Sequence, residues 1–135
     1  MNKDDVLIIN PTIGIIARIL FTLIFFISGL THFTMMRSYI DLMPPAVPGR
    51  AFWVIVSALV ELAGATMILF NVRPRLGAWL IVLFLVPVTI VVHGTAMVVL
   101  PNPVMRVVNA SMFLKGLAMI AGALFITQSG VESHP

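Results

Sequence analysis

The chain has 135 residues, of which 60% are hydrophobic and only 10% charged, and its mean hydropathy is +1.11. A soluble domain of this length needs roughly 25% charged residues to furnish a polar surface, so the composition excludes one and requires an integral membrane protein in contact with a lipid bilayer. The net charge of +3 arises from basic residues scattered singly rather than clustered, which excludes a nucleic-acid-binding patch. The absence of cysteine excludes disulfide exchange, thiolate-ligated metal and covalently attached haem within this chain.

The opening Met1-Asn2-Lys3-Asp4-Asp5 lacks a basic n-region, and no small-residue cleavage site follows the first apolar run. The first span is therefore expected to be a retained anchor. Four apolar segments then follow, each close to the roughly 20 residues that a bilayer requires. The first covers residues 13–33, with Arg18 near its start. In the loop 34–50, Met35, Met36, Tyr39, Ile40 and Met43 fall at helical spacing opposite Arg37 and Asp41. This predicts a short interfacial helix, followed by an extended stretch through Pro44, Pro45 and Pro48. The second segment is 52–70, and Asn71-Val-Arg-Pro-Arg75 makes a tight turn. The third is 75–93, continued by a hydrophobic loop to Leu100-Pro-Asn-Pro103. Within it, Pro87 removes the hydrogen bond to Leu83 and is expected to bend the helix. The fourth is 107–127.

Runs of this length without period-2 alternation specify helices rather than strands. The expected architecture is all-α: one integral-membrane domain over residues 1–135, an up-down-up-down four-helix bundle with both termini on one side. Lys3, Arg18, Arg73 and Arg75 fall on that side, against Arg37, Arg50 and Arg106 on the other. The excess of one residue favours cytoplasmic termini.

Two charges interrupt otherwise lipid-soluble segments: Glu61 in the second and Lys115 in the fourth. An unpaired ion there costs roughly 3 to 10 kcal/mol or more, so such residues face a bundle interior, pair with each other or mark a functional pathway. Both lie roughly nine residues, about 13 Å, from the same side. His32 and His93 end the first and third segments on that side. Each of the four has a hydroxyl one turn earlier, at Ser28, Ser57, Thr89 and Ser111, and Asn109 adds an amide. These positions predict a polar pocket beneath the two long loops, with a Glu61–Lys115 salt bridge closing within about 6 Å. Gly64, Ala65, Gly116 and Gly122 supply small surfaces for close helix approach.

Blander roles compete. The Glu–Lys pair can serve only to set helix register, the histidines can simply sit among headgroups, and Arg18 can snorkel to its own side. The methionines read as gap-filling residues. Axial haem ligation by the two histidines has only their shared depth behind it. No metal site and no catalytic residue emerges.

The series Arg18, Gly29-Leu-Thr-His32, Glu61-Leu-Ala-Gly64, Arg75-Leu-Gly-Ala78, His93, Asn109 and Lys115-Gly-Leu-Ala118 resembles the DoxX family of small four-helix bacterial membrane proteins, over Ile16 to Thr127. The resemblance implies a multi-pass protein of the bacterial cytoplasmic membrane. Relatives include a subunit of thiosulfate:quinone oxidoreductase, and others are linked to membrane redox and oxidative-stress complexes. It therefore implies an accessory subunit of a membrane redox complex, with other membrane subunits, or further copies of the chain, as partners; no cofactor is firmly implied, and quinone is the candidate that such a complex brings with it. Two alternatives stand beside this: a purely structural or assembly subunit, and a small transporter in which the two hairpins form a faint parallel repeat.

Overall fold

A computed structural model describes residues 10–128. The expectations about the N-terminal leader, Lys3 and the membrane side of the termini lie outside those residues. All regular structure among them is helical: α1 (Pro11–Thr34), α2 (Met36–Leu42), α3 (Arg50–Leu69), α4 (Pro74–Pro87), a π-helical segment (Val88–Gly94), α5 (Thr95–Val99) and α6 (Pro103–Gln128). Since α4, the π segment and α5 run on without a break, four helices are long and apolar enough to cross a membrane: Pro11–Thr34, Arg50–Leu69, Pro74–Val99 and Pro103–Gln128.

Local chemistry sets where these helices begin. The Asn10 carboxamide oxygen accepts from the backbone N–H groups of Thr12 (2.9 Å) and Ile13 (3.4 Å), with Pro11 in the first helical position. The same device opens α6, where Asn102 accepts from Val104 (2.9 Å) and Met105 (3.3 Å) just ahead of Pro103. The fourth span thus begins at Pro103 rather than near Val107, because a capped Asn-Pro pair is a stronger start signal than the position of Arg106. The third span likewise continues past His93 to Val99, where the expected loop would have been. Pro87 cannot donate to Leu83, and the wider π turns follow directly after it.

Burial is arranged for a lipid solvent. Leu20, Leu23, Ile27 and Leu30 of α1 are exposed, whereas Thr22, His32, Glu61, Thr89 and Thr127 are buried. The core joins Phe25 of α1, Ala65 and Ile68 of α3, Ala78, Ile81, Phe84 and Leu85 of α4, and Ala123 of α6. The main packing partners are α1 with α3, α3 with α4, and the third span with α6. Lipid offers no hydrophobic drive between helices, so close backbone approach has to supply dispersion contact. Gly64 and Gly77 meet face to face, and a Cβ on either would lie 2.8 or 2.7 Å from the other's carbonyl oxygen.

The loop after α1 folds back through α2. The Tyr39 ring stacks on His32 with centroids 3.9 Å apart, and its hydroxyl bonds Thr31 Oγ1 at 2.7 Å. Arg50 Nη1 donates to the Ile40 (3.2 Å) and Met43 (3.5 Å) carbonyls at the C-terminal end of α2, the Ile40 oxygen also accepting the Met43 N–H at 3.2 Å. Arg50→Ala is expected to release this end, at about 1 kcal/mol or a roughly fivefold faster local exchange. Hydrogen–deuterium exchange confined to residues 36–43 checks this; unchanged protection there would contradict the capping role.

Candidate functional site

Glu61 belongs to the buried stripe Val54, Ala58, Glu61, Ala65, Ile68 of α3, whose alternating spacing of four and three residues keeps one helix face inward. The side chain is 1% exposed and turns toward α1. There its Oε2 lies 3.6 Å from His32 Nδ1, and the Ser28 side chain serves as a hydrogen-bonding neighbour of the carboxyl group. Oε2 itself has no hydrogen-bond partner among the described residues. A buried carboxyl oxygen left in this condition is uncommon.

His32 is fixed from several directions. Its Nδ1 is 2.7 Å from the Ser28 carbonyl oxygen. A carbonyl can only accept, so Nδ1 carries the hydrogen. Tyr39 covers one face of the ring and Phe84 approaches with centroids 6.2 Å apart. His93, on the π segment, is held in a similar way. Asn109 donates its amide nitrogen to the Met105 carbonyl (2.9 Å), which turns Oδ1 toward His93 Nδ1 at 3.0 Å. In both rings Nδ1–H is committed internally, and Nε2 has no partner among the described residues. A neutral imidazole so placed accepts through Nε2; a protonated one donates.

The two histidines line one cavity of about 730 Å³. Its polar lining comes from Ser28, His32, Tyr39, Ser57 and His93; the rest is apolar, including Trp53, Val54, Phe84, Pro87 and Val91. Met43, Val47 and Pro48 from the proline-rich loop complete the wall. Ser57 donates to the Val54 carbonyl at 3.0 Å, so its oxygen retains acceptor capacity. A space of this size with few, convergent polar groups suits a small apolar molecule with a polar head. Among the described residues no group of three metal-ligating side chains occurs.

The structure therefore gathers Glu61, His32 and Ser57 at or beside the cavity and brings His93, with Asn109 behind it, to the cavity's edge. The expected Glu61–Lys115 salt bridge does not form. Glu61 faces α1, while Lys115 is exposed on α6, which is held mainly by the third span. Equal depth along two helices leaves their rotation undetermined, and the two charges point in different directions. Ser111 is exposed with Lys115, and Thr89 is buried against Gly116 rather than lining the cavity. Arg18 is half-buried, its carbonyl accepting the Thr22 hydroxyl at 2.7 Å, and contributes nothing to the cavity. Tyr39 was the participant hidden in the sequence. As the only tyrosine of the chain, on the apolar side of the expected interfacial helix, it could have been read as a polar group facing inward.

Neither a curated protein nor a solved structure matches the chain. The DoxX family model matches residues 14–94, a stretch that holds Ser28, His32, Ser57, Glu61 and His93 and stops short of α6 with Asn109 and Lys115. That match takes in more than half of the sequence, and on it the chain belongs to the DoxX family.

Proposed function

We propose that this DoxX protein is an accessory subunit of a membrane redox complex and holds a quinone in the cavity between α1, α2, α3 and the third span. The observation that carries this reading is the apolar cavity bordered by a buried His32–Glu61 pair with an orphaned carboxyl oxygen. A quinone supplies two-electron, two-proton chemistry when bound. The residues suit such a guest: the apolar walls take a ring and the start of a tail, and His32 Nε2 and His93 Nε2 offer hydrogen bonds to its polar head. His32 is the group placed to take or give a proton at Nε2. Glu61, 3.6 Å from the opposite nitrogen, balances the imidazolium charge that results. Electrons come from a partner subunit. The spans form an up-down-up-down bundle in the bacterial inner membrane, with α2 at the surface and the side of Arg73 and Arg75 cytoplasmic, in keeping with the positive-inside rule.

The test is purification in mild detergent with solvent extraction and quantification of lipid-soluble quinone by mass spectrometry. Quinone is expected to co-purify with the wild type and to fall at least about tenfold in Ser57→Phe, which fills the cavity, and in Glu61→Gln, a loss of the size expected for one charge-assisted contact. Wild-type protein free of quinone, and unable to bind an added short-tailed quinone, would overturn the reading.

A further inference from the structure

Lys115 lies deep in a span, and no described residue is placed to meet its charge. Lys115 stands midway along the 26 residues of α6 and is exposed, about 18 Å from either helix end at 1.5 Å per residue. The hydrocarbon core of a bilayer is about 30 Å thick, so a mid-span ammonium is about 15 Å from either surface, beyond the reach of a four-carbon stem. The packed face of α6 is a different one. Gly116, Ala123 and Thr127 are buried, and Gly116 lies directly against Thr89 of the third span. Among the described residues no carboxylate reaches the Lys115 ammonium. A lone ammonium facing lipid at this depth is strongly disfavoured.

The acid inventory of the chain narrows what covers it. The five acidic residues are Asp4, Asp5, Asp41, Glu61 and Glu132. Of these only Glu61 lies in a span, and it is 1% exposed and paired with His32. Asp41 belongs to the short α2. A second copy of the chain therefore has no carboxylate to present at the depth of Lys115, and lipid phosphates lie at the membrane surface. The geometry points to a different protein: the face of α6 centred on Lys115 docks a transmembrane helix that carries an aspartate or glutamate near its own midpoint. Ser111 and Ala118, one turn to either side and both exposed, leave room for that helix to come close. The attraction between the two charges is little screened in hydrocarbon. This surface lies outside residues 14–94 and owes nothing to the cavity or to what fills it.

The test uses the full-length protein, donor-labelled in phosphatidylcholine vesicles, with an acceptor-labelled Leu/Ala transmembrane peptide bearing one central glutamate or, as control, glutamine. Energy transfer is expected to saturate at an at least about tenfold lower density of the glutamate peptide, as a desolvated charge pair requires. The preference should vanish in Lys115→Leu and pass to a central-lysine peptide in Lys115→Glu. Lys115→Leu removes a charge from a lipid-facing position, so folding is not at risk. Equal transfer from both peptides overturns the proposal, as does a preference that survives Lys115→Leu. In native membranes, a photo-crosslinking residue at Ala118 should capture a span of another protein containing a central acid. Adducts with lipid alone, or with a second copy of this chain, would overturn it.

Discussion

Valine in place of Gly64 is expected to abolish the monodisperse folded protein. Alanine at the same position should lower its thermal midpoint in detergent by several degrees. A Cβ at position 64 would stand 2.8 Å from the Gly77 carbonyl oxygen and 3.0 Å from two atoms of Ile81, and the reciprocal Cβ at 77 would stand 2.7 Å from the Gly64 oxygen. The obstruction is backbone, which cannot rotate aside, so α3 and α4 have to separate. For one methyl group such overpacking costs about 1 to 3 kcal/mol. The two further methyl groups of valine push apart Ala65, Ile68, Ala78 and Ile81, all fully buried at 0% exposure, and their dispersion contact has no hydrophobic substitute in lipid. Ala63→Val is the control, since Ala63 is exposed on the same helix and should tolerate the change. Size-exclusion chromatography after a temperature series reads all three variants. If Gly64→Val and Ala63→Val behaved alike, the close crossing would not be what holds α3 to α4.

The sequence shows why some of this was legible and some was not. Span number and placement follow from hydropathy because a bilayer imposes a length. Charge is a poorer marker of a helix end than a cap: Arg106 lies inside the first turn of α6, which the Asn102-Pro103 cap opens. Depth is a one-dimensional quantity, and counting residues put Ser28, His32, Ser57, Glu61 and His93 at one end of the bundle, where four of the five line the cavity and Glu61 stands behind it. Rotation about the helix axis is a second coordinate, and the small residues carry it. In α6 the buried positions Gly116 and Ala123 lie seven residues apart on one face. Lys115 is turned about 100° from Gly116 at 3.6 residues per turn. Reading small residues as the packed seam would have turned Lys115 outward and left Glu61 to find a partner on α1.

That partner is what makes removal of His32 the second large effect. His32→Leu is expected to destabilise the protein by about 3 to 5 kcal/mol, because it strands a carboxyl group that is 1% exposed and whose Oε2 already lacks a hydrogen bond. Glu61→Leu should cost less, about 1 kcal/mol, since His32 keeps its 2.7 Å bond to the Ser28 carbonyl and its stacking on Tyr39. The double variant should return to within about 1 kcal/mol of the wild type, as replacing both members of a buried pair with apolar residues does elsewhere. Unfolding in detergent across the four proteins measures the coupling between the two side chains. Independent, additive losses would mean that the 3.6 Å approach carries no interaction. The same cycle separates stability from binding. A double variant that is as stable as the wild type but retains no quinone assigns the pair to the ligand, since a register device would have been replaced without loss. A stable double variant that still binds quinone would assign it to packing and leave the Nε2 atoms and the apolar wall to hold the guest.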